Sequence, residues 1–173
     1  MALGKYATGT HIALEIGSYQ GVSAAVIASS MDRGGVLYCV DPWPELAKKA
    51  NSCLAIFQRH IGRQGLQEKI RILRGFSGDV SNDVPSNLDF IFVDGDHSAD
   101  GIAVDWEIVK QKLRSGGVIC LHDVYVPQFE PWRRFGSTSF FETIIRCDPE
   151  FVVIDRIYSM AVLRRMSACG QTD

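Results

Sequence analysis

Short apolar runs that alternate with amphipathic stretches predict an α/β chain: a doubly wound, mostly parallel sheet that finishes in an antiparallel hairpin. Three observations carry that expectation. Leu88–Val93 is almost continuously apolar, as suits a strand covered on both faces. Residues 98–114 follow with Ile102, Trp106, Val109 and Leu113 at helical spacing. Near the end, Phe151–Ile157 and residues 160–164 are strand-like and separated only by Tyr158 and Ser159, which is hairpin spacing.

Each further element has a local cause. Residues 11–16 form a first strand that stops at Gly17, and 21–30 then make a helix of small residues. Residues 36–40 are the second strand, ended by Asp41-Pro42 because proline has no N–H for the ladder. Residues 45–61 place Leu46, Ala50, Cys53, Leu54, Phe57 and Ile61 on one helical face. Residues 69–73 are the third strand and Leu88–Val93 the fourth. The helix over 98–114 is closed by Gly116-Gly117, and 118–121 make the fifth strand. After Asp123 the rhythm changes: 125–137 reads as an irregular loop rich in proline and aromatics, and 139–147 as a short helix. With the closing hairpin the strands number seven.

At 173 residues, 46% hydrophobic and 22% charged, the chain reads as one domain over 1–173 with a short lead, 1–10. No apolar run approaches the roughly 18 residues of a membrane span, and the start lacks a secretory leader's layout. A net charge of −2 leaves no positive surplus to hold a polyphosphate backbone, which argues against nucleic acid as the main ligand. Five cysteines, an odd number without a CxxC, fit a reducing cytoplasm and argue against a cysteine-built zinc site. Between Gly75 and Val109 there are eight acids and no Lys or Arg; a solvated face accounts for most, but Asp94 and Asp96 directly follow a strand.

Open α/β sheets bind ligands at the carboxyl ends of their strands. After strand one stands Glu15-Ile16-Gly17-Ser18-Tyr19-Gln20-Gly21-Val22-Ser23, a turn whose glycines let the backbone approach a ligand at a helix N-terminus. Tyr19 occupies the place of the second glycine of a dinucleotide loop, so a nicotinamide oxidoreductase ranks last. Asp41 ends strand two, where an acid can accept hydrogen bonds from ribose hydroxyls.

ALEIGSYQGVSA, CVDPW, RGFSGD, FIFVDGDHS and SGGVICLHDV stand in the order and spacing of class I S-adenosylmethionine-dependent methyltransferases, and the chain resembles that class from His11 to Arg165. Within it, the chain is most similar to small-molecule O-methyltransferases of the catechol and antibiotic-sugar types. The resemblance implies a Rossmann-like seven-stranded sheet and S-adenosylmethionine as cofactor. It implies that Gly17, Ser18, Tyr19, Gly21 and Ser23 line the methionine end, that Glu15 supports the turn, that Asp41 holds the ribose and that Ser77 meets the adenine. Trp43 either flanks that ligand or packs in the core.

In the strand order of that class, Asp94 ends strand four beside His122 and Asp123 at the end of strand five. Asp94, His122 and Asp123 then form a candidate site for magnesium or manganese, with Asp94 also facing the cofactor. Such an ion would stabilise the oxygen nucleophile that methyl transfer requires. Catechol-type enzymes carry an Asp and an Asp-Asn pair at these places, so His122 is a departure. Their catalytic lysine falls on His97, which titrates near neutrality and is a candidate base, with Asp96 competing. A metal-independent enzyme using a histidine base, and a non-catalytic cofactor-binding module, are the alternatives. The acceptor is expected to be a small-molecule hydroxyl; the loop over 124–137 either walls it with Tyr125, Phe129 and Trp132, with Arg133 and Arg134 for an anion, or packs its aromatics on the C-terminal helix. Relatives place helices before strand one; with so short a lead, the site is open, or a second copy closes it in a homodimer, or the natural chain begins upstream.

Overall fold

The computed structural model describes residues 2–44, 52–127, 129, 130, 132 and 134–167. Its strands are β1 (Ile12–Ile16), β2 (Val36–Asp41), β3 (Ile70–Arg74), β4 (Leu88–Val93), β5 (Leu113–Leu121), β6 (Phe151–Ile157) and β7 (Met160–Arg165). Its α-helices are α1 (Ala2–Ala7), α2 (Val22–Ser30), α3 (Cys53–Arg63), α4 (Ser77–Val80), α5 (Ala99–Lys112) and α6 (Gly136–Thr143). The seven strands lie in the order β3-β2-β1-β4-β5-β7-β6. The first five are parallel, and β7 runs antiparallel between β5 and β6. The chain therefore winds outward from β1 through β2 to β3, then restarts on the other side at β4. That switch point lies between β1 and β4, and the crevice beyond their carboxyl ends is where such a sheet takes a ligand.

Period-two alternation of the strands builds two cores, one on each face. Leu14, Ile16, Ile91, Val93, Ile119 and Leu121 meet Trp106 and Val109 of α5 and Phe141 of α6. Ala13, Leu37, Cys39, Phe90, Phe92 and Cys120 meet α2 and α3 through Ala24, Ile27, Ala28, Phe57 and Ile61. Alanines on α2 let its backbone lie close to the sheet. Ser52 caps α3 by accepting from Ala55 N, and Ser98 caps α5 by accepting from Gly101 N.

Several boundaries differ from the sequence expectation. The lead is not featureless: α1 packs Ala7 into the second core, although six residues of weak periodicity gave no signal for it. The predicted helix over 98–114 ends at Lys112, and Leu113 begins β5 rather than lying on the helix. Gly116-Gly117 is not its cap. The pair lies in an irregularity of β5, where the register passes from Leu88↔Leu113 to Phe90↔Val118. Gly116, at φ 74°, takes the left-handed conformation this bulge needs. A short helix, α4, follows β3 where none is expected, and the helix predicted over 139–147 starts three residues early and breaks into a 3₁₀ turn at Ile145–Cys147. Of the helix predicted over 45–61, residues 45–51 lie outside the described residues, as does Cys169.

Candidate active site

The turn after β1 is clamped by the end of β2. Gly17 (φ 89°) and Gly21 (φ 83°) take left-handed backbone, and so does Tyr19 (φ 43°), a bulky residue for which this conformation is costly. Three hydrogen bonds hold it there. Asp41 Oδ2 accepts from Tyr19 N at 2.9 Å, Asp41 Oδ1 accepts from Trp43 N at 2.8 Å, and Trp43 Nε1 donates to Tyr19 O at 2.7 Å. Trp43 is therefore a core residue, buried edge-on against Phe57, rather than a flank of the ligand. Gly17 also allows β1 and β4 to close on each other: a Cβ there would lie 2.1 Å from Asp94 O.

Beyond this turn opens a cavity of about 710 Å³, a size suited to a small organic ligand. Of the expected cofactor residues, Gly17, Tyr19, Asp41, Ser77 and Asp94 line it. Glu15 and Ser18 are buried beneath the turn, while Gly21 and Ser23 lie at the start of α2, outside the lining. Among the described residues neither Glu15 oxygen finds a well-aligned donor, and burial pushes its carboxyl up to about 7 while Ser18 and Ser23 pull the other way.

Asp105 is the residue the sequence reading assigned wrongly, as one more acid on a solvated face. It is 3% exposed, lines the cavity, and accepts from Ser77 Oγ at 2.5 Å. Burial raises its carboxyl to about 6, opposed by the Ser77 hydrogen bond. Its signal was helical spacing: Asp105 stands three residues after Ile102 and four before Val109, on the inward face. Phe76 and Val104, both exposed, complete the same wall.

At the Asp94 end of the cavity two imidazoles converge on one carboxylate. Asp94 Oδ1 lies 2.9 Å from His122 Nδ1 and 3.2 Å from His97 Nε2. Burial opposes ionisation of Asp94, but the hydrogen bonds from His122 and His97 outweigh it and hold its carboxyl below the usual range. Asp123, buried and left-handed at φ 51°, stands behind, with Oδ1 at 3.6 Å from His122 Nδ1 and Oδ2 at 3.7 Å from His97 Nδ1. Asp96 does not join this group. Its carboxylate accepts from Ser98 N and Oγ at 2.9 and 3.0 Å, and those bonds lower its pKa. In the loop after β5, Tyr125 takes the packing alternative, against Phe141 of α6 at 5.0 Å between ring centroids under the Arg156 guanidinium, whereas Phe129 and Trp132 are 86% and 79% exposed. Phe135, not singled out in the sequence, has its ring 5.0 Å from that of His97. Arg133 lies outside the described residues.

A family model described as a methyltransferase domain matches residues 14–124, the stretch that holds both the clamped turn and the Asp–His group. The chain belongs to this methyltransferase family. Over 138 residues it is 30% identical to catechol O-methyltransferase of Mus musculus, a match that takes in 75% of the chain and 49% of that protein. The chain thus spans about half the length of the curated relative. Among solved structures it is similar to the O-methyltransferase TomG from Streptomyces achromogenes, in complex with SAM, with TM-score 0.73, 17% identity, and 96% and 78% of the two chains covered. It is likewise similar to an O-methyltransferase from Bacillus cereus in complex with SAH, with TM-score 0.70, 20% identity, and 96% and 77% covered. Those likenesses show the methyltransferase fold. Among the described residues no helix is long and apolar enough to cross a membrane.

Proposed function

We propose that the chain moves a methyl group from S-adenosylmethionine to a hydroxyl of a small molecule. The observation that supports this best is the placement of the cavity, which runs from Asp41 and Ser77 to Asp94 and ends beside a His–Asp group. Asp41 holds the ribose, Ser77 with Asp105 meets the adenine, and Gly17 lets the methionine end lie on the backbone. The acceptor oxygen attacks the sulfonium methyl in line; the O–C bond forms as the S–C bond breaks, and the hydroxyl proton leaves to a base. His97 suits that role better than Asp96. Its Nε2 stands 3.2 Å from Asp94 Oδ1, and Asp94 lines the cavity, whereas the Asp96 carboxylate, also in the lining, is already engaged by Ser98. Asp94, His122 and the expected third ligand Asp123 would hold a divalent cation such as magnesium or manganese, which would supply charge stabilisation to the attacking oxygen; the donor atoms that converge within 4.8 Å are those of Asp94, His97 and His122.

The His97–Asp94 contact equally favours a second reading, metal-independent transfer with His97 as base. Calorimetric titration of S-adenosylhomocysteine, with and without Mg²⁺ and with hydroxyl acceptors, tests both. Binding that acceptors strengthen only with the metal supports the assisted reaction, and binding indifferent to metal supports the second reading. No binding removes methyl transfer.

A further inference from the structure

We propose that Asp94, His97 and His122 form a two-histidine, one-carboxylate centre that selects a borderline divalent ion, such as manganese, cobalt or zinc, over magnesium, with Asp123 orienting the imidazoles from behind. This deepens the metal-assisted reading above and rests on it, but moves His97 from base to ligand and Asp123 from ligand to support, which leaves Asp96, in the cavity lining, to take the acceptor proton. The backbone brings the three together without strain on the sheet: Asp94 and His122 follow adjacent strands, and His122 N donates to Val93 O at 2.9 Å. One donor atom from each residue falls within a mutual 4.8 Å. Ligands bound at about 2.1 Å in neighbouring octahedral positions stand about 3 Å apart. The pairs at 2.9 and 3.2 Å to Asp94 Oδ1 already have that spacing.

The surroundings fit a metal centre as well. His97 turns Nε2 to Asp94 and Nδ1 towards Asp123 Oδ2 at 3.7 Å, so a carboxylate stands on the far side of the ring, where such a group orients a metal-bound imidazole. Phe135 beside His97 and Phe92 beside His122 restrict both rings. Asp94 is 31% exposed and lines the cavity, so positions remain open for a substrate oxygen. Two nitrogen donors decide the choice of ion. Magnesium is hard, prefers oxygen and releases water reluctantly, whereas imidazole suits the borderline first-row ions.

The test is a Co²⁺ titration of the chelator-treated chain, read by visible absorption, with Mg²⁺ as competitor and S-adenosylhomocysteine calorimetry alongside. Co²⁺ is expected to give ligand-field bands that a roughly 100-fold excess of Mg²⁺ leaves in place and that Zn²⁺ removes. His97→Gln and His122→Gln should each weaken Co²⁺ at least about tenfold and shift the bands. Asp123→Asn should weaken it about 10- to 100-fold with the bands retained. Displacement of Co²⁺ by comparable Mg²⁺, unchanged bands in His97→Gln, or no bound ion overturns the centre. Circular dichroism checks that the variants fold; if they do not, the competition in the parent chain decides alone. Failure of Co²⁺ with intact S-adenosylhomocysteine binding removes this centre and leaves methyl transfer standing, while the converse result removes methyl transfer only.

Discussion

Glu15 carries an acid to a place where ionisation is unfavourable, and the consequence is a pH slope. Burial raises its carboxyl from 4.5 to about 7, so the folded chain holds a proton that the unfolded chain gives up across that window. Its contribution to stability is complete below about pH 4.5 and is lost as pH rises to about 7, a change on the order of 3 kcal/mol. Glu15→Gln should therefore raise stability at pH 8 and flatten urea-denaturation midpoints between pH 4.5 and 7; an unchanged slope would mean Glu15 is solvated. Asp94 acts in the opposite sense, because its lowered pKa contributes stability that is lost on acidification. Asp94→Asn is expected to fold, and to abolish methyl transfer in a radiolabel assay. Asp41→Asn should weaken S-adenosylhomocysteine about 10- to 100-fold, since hydrogen bonds to a charged acceptor carry about 1.5–3 kcal/mol. Calorimetry that finds equal affinity would take Asp41 out of the site. Gly17, Asp94 and His122 each directly follow a strand and Asp41 ends one, so their place at the carboxyl edge of the sheet was legible, whereas Ser77, three residues beyond β3, came only from the resemblance. Asp105 was hidden among neighbouring acids, since charge composition does not say which face of a helix an acid occupies.

At the scale of elements, the site depends on how closely β1 and β4 approach at the switch point. Gly17→Ala would drive a Cβ into the Asp94 carbonyl, at a backbone conformation already unfavourable for alanine. It should abolish S-adenosylhomocysteine binding and lower the melting temperature; normal binding in that variant would mean that the turn adapts. The strands themselves were legible because apolar runs and their stops are local. The bulge in β5 was not, because Gly116-Gly117 marks a helix end as readily as a strand irregularity, and only pairing with β4 distinguishes them. Helix α1 depends on packing against α2 rather than on its own pattern, so six residues gave nothing to read.

For the whole molecule, two cores share one sheet, and the cavity lies across the switch point between its halves. A cofactor bound there should stabilise both. S-adenosylhomocysteine at 100 times its Kd adds about 2.7 kcal/mol, which raises the melting temperature by about 5–10 °C. A melting curve indifferent to it would count against the cofactor reading. The strand order has one more effect. β7 lies inside the sheet, between β5 and β6, and Ser159 in the hairpin turn accepts from both Val124 N and Tyr125 N at 3.0 Å, just after His122 and Asp123. During vectorial synthesis the nucleotide half of the cavity can therefore take shape while the chain is still being made. The imidazole–carboxylate half gains its anchor only when the last hairpin inserts, so a nascent chain stalled before Met160 would carry a binding surface without its chemistry.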